Sequence, residues 1–370
     1  MIVVRVLLFL AGAALVALVV RSVIATFVVP RPLRTRLSRI VFLAVRRVFR
    51  LRANERHDYA HRDRVMAFYA PVALVVLLAV WVSLLLAGFT AMFFTVEDVS
   101  ARESFALAGS SLFTLGFASR NDLPSNILSF VGAGVGLVFL AMFITYLPSV
   151  YAAFQRRERG VAKLEVRAGE PPSGVYLIDL AWRVGRLENL RELFAEWEDW
   201  FTDVDETHGS FPPLVFFRSG HPDQSWIIAA GAILDAASLL DSTVELPRTP
   251  EPQFMIRAGY LCLRHVAAFF RIPVNDDPAP DDPISISRAE FDEAYERLER
   301  SGVPLRPDRD QCWRDFAGWR VNYDTALVGL ARLSMAPRAP WSSDRYDDVH
   351  YIPPAFPGLR RSGRSRRTGG

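Results

Sequence analysis

Apolar residues run almost unbroken over three stretches, 3–29, 65–94 and 127–154. Each is long enough to cross a hydrocarbon core of about 30 Å, which takes roughly 20 helical residues. Between the second and third lies a shorter stretch, 103–118, apolar but rich in small residues, and after it a polar, turn-like run, 119–124. That pattern predicts a half-helix that enters the membrane and returns as extended backbone. Such backbone survives at membrane depth only where it is buried in protein or lines an aqueous path. Past residue 157 the pattern changes to apolar positions at helical spacing, over about 175–185, 187–203, 224–241, 252–271, 288–300 and 309–335. Ser287 and Glu290 have capping-box spacing at the start of the fifth. The one strand-like run, 214–217, follows Pro212 and Pro213. The expected fold is all-α throughout.

Charge orders these stretches. The loop 30–65 carries eleven arginines against Glu55, Asp58 and Asp63, and Arg156, Arg157, Arg159 and Lys163 follow the third apolar stretch directly. Short loops rich in Lys and Arg stay cytoplasmic, so both clusters give one topology: a multi-pass cell-membrane protein, N-terminus outside, C-terminus cytoplasmic. The expected organisation is an N-terminal transmembrane helix (1–30), a basic cytoplasmic linker (31–65), a module of two spans around the re-entrant loop (66–156), a cytoplasmic helical domain (157–345) and a basic disordered tail (346–370). Arg5 and the small residues 11–13 imitate a signal peptide weakly, but cleavage would send the arginine-rich loop outside. Within that loop Leu37, Ile40, Val41, Ala44, Val45, Val48 and Phe49 recur at helical spacing opposite Arg36, Arg39, Arg46, Arg47 and Arg50. This basic amphipathic helix suits an anionic lipid surface. A voltage sensor would need the arginines inside a span.

At Thr114, Leu115, Gly116, Phe117 and Ala118 the chain resembles the Thr-Val-Gly-Tyr-Gly ion filter of potassium channels, and residues 143–148 with 156–158 resemble the inner-helix exit of bacterial channels with the two-helix pore module. The resemblance spans roughly residues 65–158. It implies a cation channel whose filter carbonyls replace the hydration shell of potassium or another monovalent permeant ion. One filter segment per chain implies a homotetramer. Ala118 stands where the family has glycine, in a backbone conformation that side chains disfavour. Two outcomes are open: a strained left-handed Ala118, or a relaxed loop with weakened potassium selectivity. Gly132, Gly134 and Gly136 in the third stretch serve close helix packing, a gating hinge, or both, and Pro148 is expected to kink the helix. A non-conducting sensor or scaffold on the same fold is the alternative.

Hydrophobic residues make up 51% of the chain and the net charge is +3, too small to indicate nucleic acid as a partner. Cys262 and Cys312 lack paired spacing and read as buried thiols. Beyond residue 157 there is no G-x-G-x-x-G turn of a nucleotide-binding domain and no phosphate loop. Asp203, Asp205, Glu206 and His208 cluster at a helix end, where a solvated terminus is the simpler reading than a metal site. The tryptophans of this region read as core. No catalytic residue, metal ligand or cofactor is expected.

Overall fold

The computed structural model describes residues 2–27, 29, 36–53, 58–96, 99–247 and 249–345. The disordered tail expected over 346–370, and parts of the basic loop, lie outside the described residues. Among those described the chain is helical, with no strand and one isolated β-bridge between Val244 and Leu305. Long apolar helices arise where the sequence has its apolar stretches: α1 (Ile2–Phe27), α4 (Tyr69–Val96) and α6 (Leu123–Ala168). Between them come α2 (Arg36–Arg52), α3 (Tyr59–Ala67) and the short α5 (Ala101–Leu112). The second span therefore differs from the single element expected. Its N-terminal end is a separate helix, α3, capped by Asp58 and parted from α4 by a turn at Phe68.

Helices α1 and α4 pack side by side because Gly12 and Gly88 face each other. A side chain at Gly12 would press on the Gly88 carbonyl, and one at Gly88 on Val16. This is the close approach that small residues allow between apolar helices. Trp81, buried on α4, donates from Nε1 to Ser22 Oγ (3.2 Å), which satisfies its one polar atom. The basic amphipathic helix α2 buries Val41 and Val45, and Tyr69 of α4 donates to Phe42 O (3.2 Å). Its basic face also meets protein, since Arg46 Nη2 donates to Leu333 O (2.8 Å) in the C-terminal domain.

The C-terminal domain comprises α7 (Gly174–Arg183), α8 (Leu190–Ser210), α9 (Trp226–Thr243), α10 (Glu251–Phe269), α11 (Arg288–Arg300), α12 (Arg309–Arg320) and α13 (Asp324–Ser334). The capping box of Ser287 and Glu290 starts α11. Residues 214–216 of the strand-like run fold instead within a 3₁₀ turn, Pro212–Phe216, since two prolines fix the entry and offer no backbone donor for a ladder. The expected helix over 309–335 is two helices, broken by the turn 321–323, which carries Tyr323 to Asp235 (2.9 Å). By length and hydropathy α9 qualifies as a span, yet 94% of it is buried, whereas the corresponding windows of α1 and α6 are 11% and 17% buried. It is the core helix of the domain, apolar all round because protein surrounds it. Its Asp235 is held by Arg320 (2.5 Å), which also binds Asp324 (2.8 Å) and the Trp341 carbonyl (2.5 Å).

Helix α6 belongs to both halves. Over 46 residues it runs about 69 Å, at 1.5 Å per residue, from Leu123 past Pro148 into the domain, where Val161, Leu164 and Ala168 join the core. It continues as α-helix on both sides of Pro148, whose flanking hydroxyls bond back to the helix: Thr145 donates to Met142 O (3.0 Å) and Ser149 to Thr145 O (2.9 Å).

Candidate functional site

Helix α5 starts at a capping box made by Ser100 and Glu103 and packs between α4 and α6. Glycines set its depth. A side chain at Gly132 would touch Ser111, and one at Gly136 would overlap the Leu112 carbonyl, so the end of α5 rests directly on the α6 backbone. Gly134 has nothing within 4 Å. The three glycines thus divide: two are contact points for α5 and the third faces away. Gly136 lies nine residues past Ile127, where the apolar part of α6 begins, hence about 14 Å along the helix. That is close to half the roughly 30 Å thickness of a hydrocarbon core.

From this point the chain continues as loop. Thr114 N donates to Ser111 O (3.0 Å) and Leu115 N to Ser110 O (2.9 Å), closing the helix as a Schellman motif with Thr114 in the left-handed position at φ 54°. Gly116 is also left-handed, at φ 71°, with no neighbour within 4 Å. Ala118 does not have a positive φ. The left-handed backbone therefore falls on Thr114 rather than Ala118, at roughly 1–2 kcal/mol for a residue with a Cβ. Ala118 is held by Ser110, a residue outside the filter-like segment. Ser110 Oγ, buried on α5, donates to Ala118 O (2.9 Å) and accepts from Ala118 N (3.0 Å). One hydroxyl satisfies both backbone groups and pins the returning limb to its helix. The only signal for it was a serine on the inner side of a short apolar helix. Phe113, Leu115 and Phe117 are exposed in the single chain, the last two by 63% and 67%.

At its other end α6 meets the domain through Arg157, fully buried just beyond the last apolar turn. Its guanidinium donates to Glu158 Oε1 (2.7 Å), Leu214 O (2.7 Å) and Phe217 O (2.7 Å), and lies over the rings of Phe154 and Trp226. His208 Nδ1–H donates to Val204 O (2.9 Å), which leaves Nε2 to accept from Arg157 (3.2 Å). Burial, and then the Arg157 charge, holds His208 well below the usual imidazole range, so it is neutral. The acidic cluster is dispersed by the fold. Asp203 pairs with Arg156 (3.1 Å) and Asp205 with His265 (2.9 Å), while His208 turns inward. No group of three His, Cys, Asp or Glu able to hold a metal occurs among the described residues. A second tie joins the halves: Arg218 binds Asp63 of α3 and the carbonyls of Ser334 (2.7 Å) and Met335 (3.2 Å).

An all-helical chain with long, apolar, protein-poor helices is a membrane protein. It is similar to the uncharacterized membrane protein YdjJ of Bacillus subtilis, with 25% identity over 261 residues, covering 65% of this chain and 71% of that one. No family model matches the chain, and no solved structure matches it.

Proposed function

We propose that this protein is a potassium-channel-like cation channel built from four copies of the chain, with residues 114–118 of each copy forming one wall of the filter and α6 lining the axis. The observation that carries this reading is non-helical backbone beginning about 14 Å along the apolar part of α6, stapled to α5 by Ser110. A membrane excludes unpaired backbone from lipid, which leaves an aqueous path or a protein neighbour as its surroundings. A four-fold assembly supplies both: other copies cover Leu115 and Phe117, and loop carbonyls face the axis. The C-terminal end of α5 adds the negative pole of a helix dipole beside the loop, which favours cations. Left-handed geometry at Thr114 and Gly116, with none at Ala118, corresponds to the relaxed loop and to reduced discrimination between potassium and sodium. Reconstituted in vesicles, the protein is expected to pass both ions, and Ala118→Gly, which frees that residue to turn left-handed, to sharpen the preference for potassium. Absence of flux of either ion from intact tetramers would favour a non-conducting sensor. Potassium selectivity unchanged by Ala118→Gly would refute the relaxed loop.

The same reading puts α2 and the C-terminal domain in the cytoplasm and the N-terminus outside, with α2 near the anionic leaflet, from the arginines that flank the spans. Cys262 and Cys312 are buried, so a cysteine placed at exposed Arg47 gives a clean label. An impermeant maleimide is expected to react with it only after the cells are opened. Reaction in intact cells would reverse the orientation and close the re-entrant loop to the outside.

A further inference from the structure

A cavity of about 210 Å³ lies where the last turn of α1, the first turns of α4 and the middle of α6 meet α2 and the C-terminal domain. Its wall is mostly apolar and aromatic, including Phe42, Leu43, Leu74, Leu77, Tyr146 and Phe216. A 150 Å³ apolar cavity already admits a benzene-sized molecule, so this one has room for a length of hydrocarbon chain. Among the described residues that line it, three are arginines, Arg39, Arg46 and Arg271, and none is a carboxylate. An apolar pocket edged by guanidinium groups matches a ligand that is hydrocarbon at one end and anionic at the other.

The backbone at Arg271 is the second observation. Helix α10 ends in a Schellman motif, with Ile272 N donating to Ala267 O (3.0 Å) and Arg271 N to Ala268 O (3.1 Å). Arg271 occupies the left-handed position at φ 59°, where glycine is usual. The fold thus keeps an arginine on the cavity wall at a site whose backbone favours a residue without a side chain, the kind of local strain found at ligand clamps.

We propose that this cavity binds the acyl chain of an anionic phospholipid drawn from the bilayer leaflet on the side of the C-terminal domain, with its phosphate held by Arg39, Arg46 and Arg271. The bilayer is the source because three spanning-length helices wall the cavity, beside the amphipathic helix that would lie at the headgroup level. The site also has a route to α6. Pro212, Pro213 and Phe216 line it, and the carbonyls of Leu214 and Phe217 in the same short segment hold Arg157. An occupant therefore bears on the segment that fixes the inner end of α6. This inference does not depend on ion conduction.

Native mass spectrometry of the full chain in neutral detergent, titrated with phosphatidylglycerol, phosphatidylcholine or oleate, tests it. One phosphatidylglycerol per chain is expected to be retained, with phosphatidylcholine at least about tenfold weaker. Arg271→Gly is expected to weaken phosphatidylglycerol about tenfold with an unchanged or higher melting temperature, because glycine suits its backbone. Leu43→Trp, which fills the cavity, is expected to weaken it too. Arg47→Ala, an exposed arginine of α2 outside the cavity, is expected to stay within about twofold of the parent. Equal retention of both phospholipids, parent-like binding by both Arg271→Gly and Leu43→Trp, or equal losses from Arg47→Ala and Arg271→Gly would overturn the site. Retention of oleate with exclusion of phosphatidylglycerol would overturn the phospholipid as occupant.

Discussion

Replacing Arg157 by alanine is expected to lower the melting temperature of the detergent-purified protein by roughly 10 °C. The guanidinium is fully buried and fills several acceptors at once, so its loss strands Glu158 and the carbonyls of Leu214 and Phe217 without donors. Removing one partner of a buried ion pair costs about 3–5 kcal/mol, and each kcal/mol moves a domain of this size by roughly 2–4 °C. Lysine is expected to recover only part of this, since one ammonium cannot serve the positions of a planar fork. His208 supplies a second readout. Its folded pKa lies below the unfolded value of about 6.5. The unfolded chain then binds the extra proton, and the stability due to neutral His208 is present above about pH 6.5 and is lost as pH falls. The slope reaches at most about 1.4 kcal/mol per pH unit. Without the Arg157 charge the folded pKa rises toward the unfolded one. Burial, the larger cause, persists in Arg157→Ala, which is therefore expected to be less stable than the parent at pH 7.5 and, like the parent, to lose stability as pH falls below about 6.5. A change below about 2 °C at neutral pH would show that this arginine does not fasten α6 to the domain.

Gly136→Ala is expected to dislodge α5. The added Cβ would overlap the Leu112 carbonyl, a backbone atom that no rotamer change can move aside. Overpacking of this kind costs about 1–3 kcal/mol when side chains can adjust, and here α5 and α6 must separate instead. That displacement travels to Ser110 and the loop it holds, so the melting temperature is expected to fall and, on the channel function proposed above, ion flux to fall at least tenfold. Gly134→Ala is the comparison, two residues away with nothing within 4 Å. Alanine gains about 1 kcal/mol of helix propensity there, and the variant is expected to be as stable as the parent or more so. The pair separates the two roles open to these glycines. Packing predicts damage at 136 and none at 134, whereas a hinge that needs flexible backbone predicts altered gating at both. Normal flux and stability in Gly136→Ala would remove the tight α5–α6 contact from the account.

The helical class, the three long apolar helices, the short α5 and the amphipathic α2 were legible in the sequence because each rests on local periodicity and length alone. Capping at Ser287 and Glu290 was legible for the same reason: the interaction spans three residues. What the order of residues leaves open is which helix meets which. The length and hydropathy of α9 suit a membrane, and only its burial in the C-terminal domain makes it a core helix. Gly132, Gly134 and Gly136 look alike in sequence, but α5 rests on the first and third because successive residues point to different sides of a helix. Thr114, rather than Ala118, carries the left-handed backbone because the helix-ending motif at residues 110–115 decides it, and Ser110 then fixes Ala118 from eight residues away. Arg157 read as one more basic residue beyond a span. Tertiary structure turned it inward, where carbonyls 57 and 60 residues along the chain make it the fastening of α6. Local propensity and hydropathy depend on near neighbours and survive in the one-dimensional pattern. Burial of a charge and contact between backbones depend on distant segments, so only the packed fold determines them.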